Sequence, residues 1–439
     1  MMKDFNSNIQ KRKTFLRSES FLRTVLILVL LCISAVGFAQ SHSSAFNVMY
    51  KQVKVKNFFK ARDLFAGNKK ELPIAYQYFM EAVLDNAFNK PEESNQKISQ
   101  LLTLKTSIPD SLMFKLWRIR EDNSMKQYNY SEAKRAVQTT LQKYDYLLTD
   151  EERKDLKNNL KIWIVLENKP PQKITMNGGT RLKMVKDVAG LKNLKVKVVE
   201  DSMNFIFDTG ANISTISAST ASRLKINVIP ADIEVDAITG IAVKADLAVC
   251  EKMTFGNIIA ENVVFLVFAD DALSFPQINY QINGVLGFPV IEALREVQLT
   301  QDDYFIVPNT ETKINSPSNM AMDGLTPLIF MDGRHFSFDT GSDYTILYAP
   351  FYQENKKKID MKYRLGAVTM GGAGGKIEYP GFKVNYTFHI LGKEIPLKNI
   401  NLLTTKINEK TVYGNIGQDV IRQFSKMTLN FNQMFIKFD

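Results

Sequence analysis

Two acidic residues in this sequence stand in nearly identical surroundings. Asp208 lies in Phe205–Gly210 and Asp339 in Phe336–Gly341, and both segments read Phe-x-Phe-Asp-Thr-Gly. An apolar strand leading into each aspartate predicts a carboxyl on a low-dielectric floor, where charges couple strongly. Two carboxyls about 3 Å apart cannot both ionise, so they share one proton and offer a base and an acid together. Adding water to an amide needs both when neither a metal nor a covalent intermediate takes part. Gly210 and Gly341 let backbone N–H groups approach the carboxyls closely. A single Asp-Thr-Gly reads equally well as a turn; the matched pair argues for a site.

The elements around the aspartates are duplicated too. Asp208 and Asp339 are 131 positions apart, and the same shift superposes Phe205 on Phe336 and Phe207 on Phe338. The turn before each motif corresponds as well, Glu200–Ser202 in one copy and the hairpin dipeptide Asp332-Gly333 in the other. Downstream, Gly284–Ile291 matches Gly414–Ile421, an apolar-apolar-Gly element, and a terminal strand pair follows in each copy. Short strands punctuated by Gly, Asn and Asp run from about 181 to 439, an all-β pattern.

Residues 180–439 resemble the pepsin–retropepsin class of aspartic peptidases, with halves as short as a retropepsin subunit repeated in one chain. The resemblance implies a bilobal β fold with halves at 181–308 and 322–439, facing each other across a pseudo-twofold axis. It implies Asp208 and Asp339 as the catalytic pair, with Thr209 and Thr340 hydrogen-bonded across the axis. Ser342, where the other copy has Ala211, is expected to donate to a carboxylate and lower its pKa, favouring work at mildly acidic to neutral pH. The resemblance also implies a β-hairpin flap over the substrate, at Thr239 and Gly240 in one copy and at Met370 and Gly371 in the other. An ordinary hairpin turn is the other reading of those positions, and the tyrosine familiar in pepsin flaps is missing.

Ahead of the β region, residues 45–167 carry apolar residues at helical spacing, as in Ile74, Tyr78, Phe79, Ala82 and Val83. About six helices are expected, with Pro91 opening one, Asp110 capping another and Thr149–Glu152 forming a capping box. The stretch from Tyr128 to Leu141 resembles one arm of a tetratricopeptide-type repeat; an unclassified helical bundle is the alternative. Residues 168–180, with Pro170, Pro171, Gly178 and Gly179, read as a linker. The whole is thus an α+β multidomain chain.

Residues 1–39 read as a signal peptide, with a basic segment ending at Arg23, an apolar run from Val25 to Phe38 and small residues up to Ala39. An uncleaved anchor is the alternative, although the run is shorter than the ~20 residues a bilayer needs. Export follows as an expectation: periplasmic or secreted, in contact with the envelope or free of it, with no membrane span after cleavage. The formal charge of +10 falls to about +6 without this segment, and the remaining basic residues are scattered among acids, which argues against nucleic-acid binding. Cys250 is the one cysteine left after Cys32 is removed, and none of the three histidines has metal-ligand spacing. No metal or cofactor is expected.

An exported aspartic endopeptidase, active as a monomer on peptide or protein substrates, is therefore the expectation. A catalytically inactive peptide-binding protein on the same scaffold is the alternative, and a helical adaptor with a merely structural β half a third. The helical domain is expected to recruit substrate or a protein partner, or to serve as a removable pro-region.

Overall fold

Phe205, Phe207, Phe336 and Phe338 are almost completely buried, and the strands carrying them lie at the centre of two large sheets. The computed structural model describes residues 44–106, 108–236, 242–372, 375–390, 392–407 and 411–439. The expected signal segment 1–39 lies outside the described residues, as do Thr239 and Gly240. No helix among the described residues is long and apolar enough to cross a membrane.

In the first β half, the strand Asp201–Phe207 runs parallel to Gly284–Leu286, which lies antiparallel to Ser214–Ser217. Ser214–Ser217 in turn runs parallel to Ile258–Phe268. The second half repeats this: Arg334–Phe338 runs parallel to Gly414–Ile416, which is antiparallel to Ile346–Leu347, itself parallel to Lys393–Leu403. Each aspartate thus ends a strand clamped against an apolar-apolar-Gly strand. A third, five-stranded sheet joins the halves: Glu296–Thr300 pairs with Lys426–Asn430, bringing Gln298 opposite Thr428. The sequence indicates both terminal hairpins but not that they pair with each other. Most of the residues just named share one apolar core that spans both halves.

Part of the stretch read as a linker is built into the sheets. Lys173–Met176 pairs with Ile258–Phe268, and Thr180–Lys183 is the edge of the five-stranded sheet. The flanking prolines and glycines mask a short alternating run between them. The second half likewise begins earlier than residue 322, at the strand Met320–Asp323.

Seven α-helices precede the strands among the described residues, from one ending at residue 54 to Asp150–Leu166. The last opens on the expected capping box, with Thr149 and Glu152 bonded reciprocally. Asp110 is the first helical residue rather than the cap, a place taken by Pro109. That helix runs on to Lys126, and the next opens at Tyr130. The Asn123 side chain is buried and donates to Ser94 Oγ (2.8 Å) and Asn95 Oδ1 (3.0 Å), so it joins two helices.

The helical domain packs on both halves. Phe59, Phe79 and Ile119 share an apolar cluster with Leu328, Val368 and Met370 of the second half. Val137, Leu156 and Trp163 share another with Ile233, Leu247 and Phe268 of the first.

The hairpin turns before the two motifs are not equivalent. Met331 pairs with Arg334 around Asp332 and Gly333, both left-handed (φ 52° and 71°). In the first half Val198 pairs with Asp201, so the turn is Val199-Glu200, one residue earlier than expected, and Val199 adopts φ 54°. A β-branched residue is strained there. Because Val199 is 71% exposed, Val199→Asn disturbs no packing and should stabilise the fold by about 1 kcal/mol in denaturant unfolding; an unchanged or lower midpoint would contradict this.

Candidate active site

The backbone around the two aspartates is held by one set of bonds made twice. The Asp208 N–H donates to Leu286 O (3.1 Å) and the Asp339 N–H to Ile416 O (3.0 Å). The Gly287 N–H donates to Ser214 Oγ (3.0 Å) and the Gly417 N–H to Thr345 Oγ1 (3.1 Å). Between the halves, the Thr209 N–H donates to Thr340 Oγ1 (3.0 Å) and the Thr340 N–H to Thr209 Oγ1 (3.1 Å). Each hydroxyl then donates across the axis, Thr209 Oγ1 to Phe338 O (3.2 Å) and Thr340 Oγ1 to Phe207 O (2.9 Å). Both threonines are buried, so these four bonds have no competition from water.

This network sets the carboxyls of Asp208 and Asp339 beside each other, near enough for the charge of Asp339 to oppose ionisation of Asp208. The Gly210 N–H donates to Asp208 Oδ1 (2.7 Å) and the Gly341 N–H to Asp339 Oδ1 (2.8 Å). Each glycine also faces the opposite aspartate. A Cβ on Gly210 would lie 2.7 Å from the Asp339 carboxyl carbon, and one on Gly341 would collide with the Asp208 carboxyl. Any side chain at either place would push the carboxyls apart. Burial, and then the charge of Asp339, push the Asp208 pKa well above the usual carboxylate range, against the lowering effect of the Gly210 and Gly341 N–H groups.

The symmetry ends at the next shell of contacts. Ser342 does not reach a carboxylate: its hydroxyl donates to Tyr344 O (2.9 Å). The expected stabilising donor is instead Asn415, whose Nδ2 donates to Asp339 Oδ2 (3.1 Å). Ser337 Oγ fixes that amide by donating to its Oδ1 (2.7 Å). The equivalent residue in the first half is Val285, which cannot donate. Gln418, opposite Phe288 in the repeat, donates from Nε2 to Thr340 O (2.7 Å). Both polar residues interrupt an otherwise apolar repeated motif, which is the signal by which the sequence could have shown them.

Asp208 and Gly341 line a cavity of about 1160 Å³ that also reaches Met322, Thr369 and Met370. Its third wall is the helical domain, through Lys115, Arg118, Met125 and Asn158 among others. The second-half hairpin expected as a flap is present: Gly366–Gly372 pairs with Gly375–Ile390, with Gly372 opposite Gly375. Met370 faces the helices as well as the cavity, buried in the cluster shared with them. Gly371 sits one residue further towards the tip. In the first half, the strand Val228–Asp236, which leads towards Thr239 and Gly240, is gripped by a helix. Asn158 Nδ2 donates to Glu234 O and the Glu234 N–H donates back to Asn158 Oδ1 (2.8 Å).

Residues 194–290 match a family model described as Aspartyl protease. The matched stretch runs from the strand Lys192–Val198 through Asp208 into the helix Phe288–Glu292 and supports a peptidase hydrolase of the aspartyl class. No curated protein matches the chain.

The Asn415 bond gives the carboxyl pair a donor on one side only, and a hydrogen bond to the charged form of such a pair favours that form. Asn415→Val, which copies Val285, should raise the acidic limb of the kcat/KM–pH profile by about 1–2 pH units, with less effect on the alkaline limb. An acidic limb that stays in place would remove Asn415 from any positioning role.

Proposed function

We propose that the protein is an exported aspartic endopeptidase, a single-chain bilobal fold of two retropepsin-like halves behind a tetratricopeptide-like helical domain. The observation that carries this reading is the pair of juxtaposed carboxyls, set by threonines bonded reciprocally between the halves. Both carboxyls belong to one chain, which favours activity as a monomer, and the basic and apolar segments before Ala39 favour export to the periplasm or beyond.

In this mechanism the pair holds one proton. Asp208, whose ionisation is opposed by burial and by its neighbour, keeps it. Asp339, which accepts from the Gly341 N–H and from Asn415, acts as the base. A water between them gives a proton to Asp339 as its oxygen attacks the peptide carbonyl carbon. Asp208 gives its proton to the carbonyl oxygen, so the tetrahedral intermediate is neutral. Collapse returns the oxygen's proton to Asp208 while the proton on Asp339 goes to the leaving nitrogen, and the C–N bond breaks. The pair acts as a unit, so the pKa values seen in a rate profile belong to both residues together. An extended peptide suits the long cleft and its flanking hairpins, whose backbones offer strand-like hydrogen bonds.

Cleavage of a random peptide pool, read by mass spectrometry across pH, tests this. Asp208→Asn and Asp339→Asn should each lower kcat/KM by about 10²–10⁴-fold or more. Equal cleavage by wild type and either variant would sink the dyad, and peptide binding without turnover by wild type would point to a non-catalytic binding protein.

The same pair predicts a stability signature. The folded pKa of Asp208 lies above its unfolded value, so its favourable contribution is complete below pH ~4 and is lost as pH rises through the folded pKa. Asp208→Asn should therefore raise the Tm at pH 7 and leave it nearly unchanged at pH 4. A lower Tm at both pH values would contradict the assigned direction.

A further inference from the structure

The helical wall of the cavity carries three cations, Lys56, Lys115 and Arg118, and three acids, Glu121, Asp122 and Asp155, and the cations are not all paired. Lys115, on the helix Asp110–Lys126, lines the cavity that contains Asp208 and Gly341. The charged groups facing it are Lys56, Arg118, Asp323 and Asp122. Both acids are already engaged. Asp323 is ion-paired with Lys56, while Asp122 is paired with Lys126 (3.1 Å) and accepts from Asn86 Nδ2 (2.5 Å). Arg118 pairs with Glu121 (3.3 Å), a carboxylate that also accepts from Asn159 (2.9 Å) and Trp163 (3.0 Å). Among the described residues, no carboxylate makes a salt bridge with Lys115. The Arg118 Nη1 group is buried and holds its ion pair with Glu121 without an aligned hydrogen bond. Lys115 thus keeps bonding capacity beside the cavity, with Arg118 one turn along the same helix. A cation desolvated in this way gains most from an anion delivered by a ligand.

We propose that Lys115, assisted by Arg118, is a specificity-determining site that receives a carboxylate of the bound peptide, either an Asp or Glu side chain or the C-terminus. This rests on the peptidase reading above for its substrate, and it assigns to the helical domain a direct part in substrate selection. Burial, and then Lys56, push the Lys115 pKa down to about 8. The free enzyme therefore carries the charge at neutral pH and loses it above about pH 8. A bound carboxylate favours the charged form.

The test compares peptides that differ only in charge. One set replaces Glu by Gln at each position around the scissile bond; the other replaces a free C-terminal acid by its amide. Wild type should favour one carboxylate form by about 10- to 100-fold in kcat/KM, and the set showing the preference identifies the source. Lys115→Met should abolish the preference while still cleaving neutral peptides, Lys115→Arg should retain most of it, and in wild type it should fade above about pH 8. Each preference is a ratio on one enzyme sample, so partial misfolding does not imitate the result. The same peptides titrated against Asp208→Asn should show the preference in Kd and its loss in the double variant with Lys115→Met. Equal preference with and without Lys115, or no preference in wild type, would overturn the proposal. Absence of all cleavage with a Lys115-dependent preference in binding would overturn the peptidase reading and leave this one standing.

Discussion

The four bonds between Thr209 and Thr340 are the constraint on which the site depends. Two carboxyls can share a proton only if their separation is held within a few tenths of an ångström, and each carboxyl belongs to a different half of the chain. The threonines meet this by making each half complete the other's backbone. Every N–H and hydroxyl in the pair has its partner across the axis. Buried as they are, the bonds cannot be exchanged for water, so a shift of one half would leave polar groups unsatisfied at ~1–3 kcal/mol each. The clamped strands behind them, and the five-stranded sheet pairing Gln298 with Thr428, extend that register over the length of the molecule.

The helical domain is bound into this arrangement rather than appended to it. It shares one apolar cluster with each half and contributes a wall of the cavity. Removing it as a pro-region would expose Val368 and Met370 on one side and Ile233 and Phe268 on the other, apolar residues that the helices now cover. The hairpins on either side of the cleft are held by different helices, one through Asn158 and one through apolar packing. Opening the cleft must therefore move the helices with the hairpins or part the two.

Much of this was legible in the sequence for a physical reason: two Asp-Thr-Gly segments set in two halves each need a strand, a turn and a clamp of their own, and duplication makes a weak motif strong. Helix starts at Pro91 and Thr149 were legible because caps are local chemistry. What spacing cannot give is the direction of a side chain. Ser342 stands where a donor to the carboxylate was expected, yet its hydroxyl finds Tyr344 O, and Asn415, 73 residues on, reaches Asp339 instead. The strand Lys173–Met176 hid between turn-forming residues, Pro170 and Pro171 before it and Gly178 and Gly179 after it. Helical periodicity shows that a face is covered but not by what, so the docking of the helices on the cleft had no signature.

A symmetric frame that holds an asymmetric pair has a consequence for the chemistry. In two identical half-sites, the shared proton would have no preferred carboxyl. Here Asp208 and Asp339 each accept from their own glycine N–H. Asn415 has no counterpart, because Val285 stands opposite it. In the proposed mechanism this one bond, made to Asp339 alone, is what distinguishes the two carboxyls. A single chain can place such a residue in one half only, which two copies of one subunit cannot do.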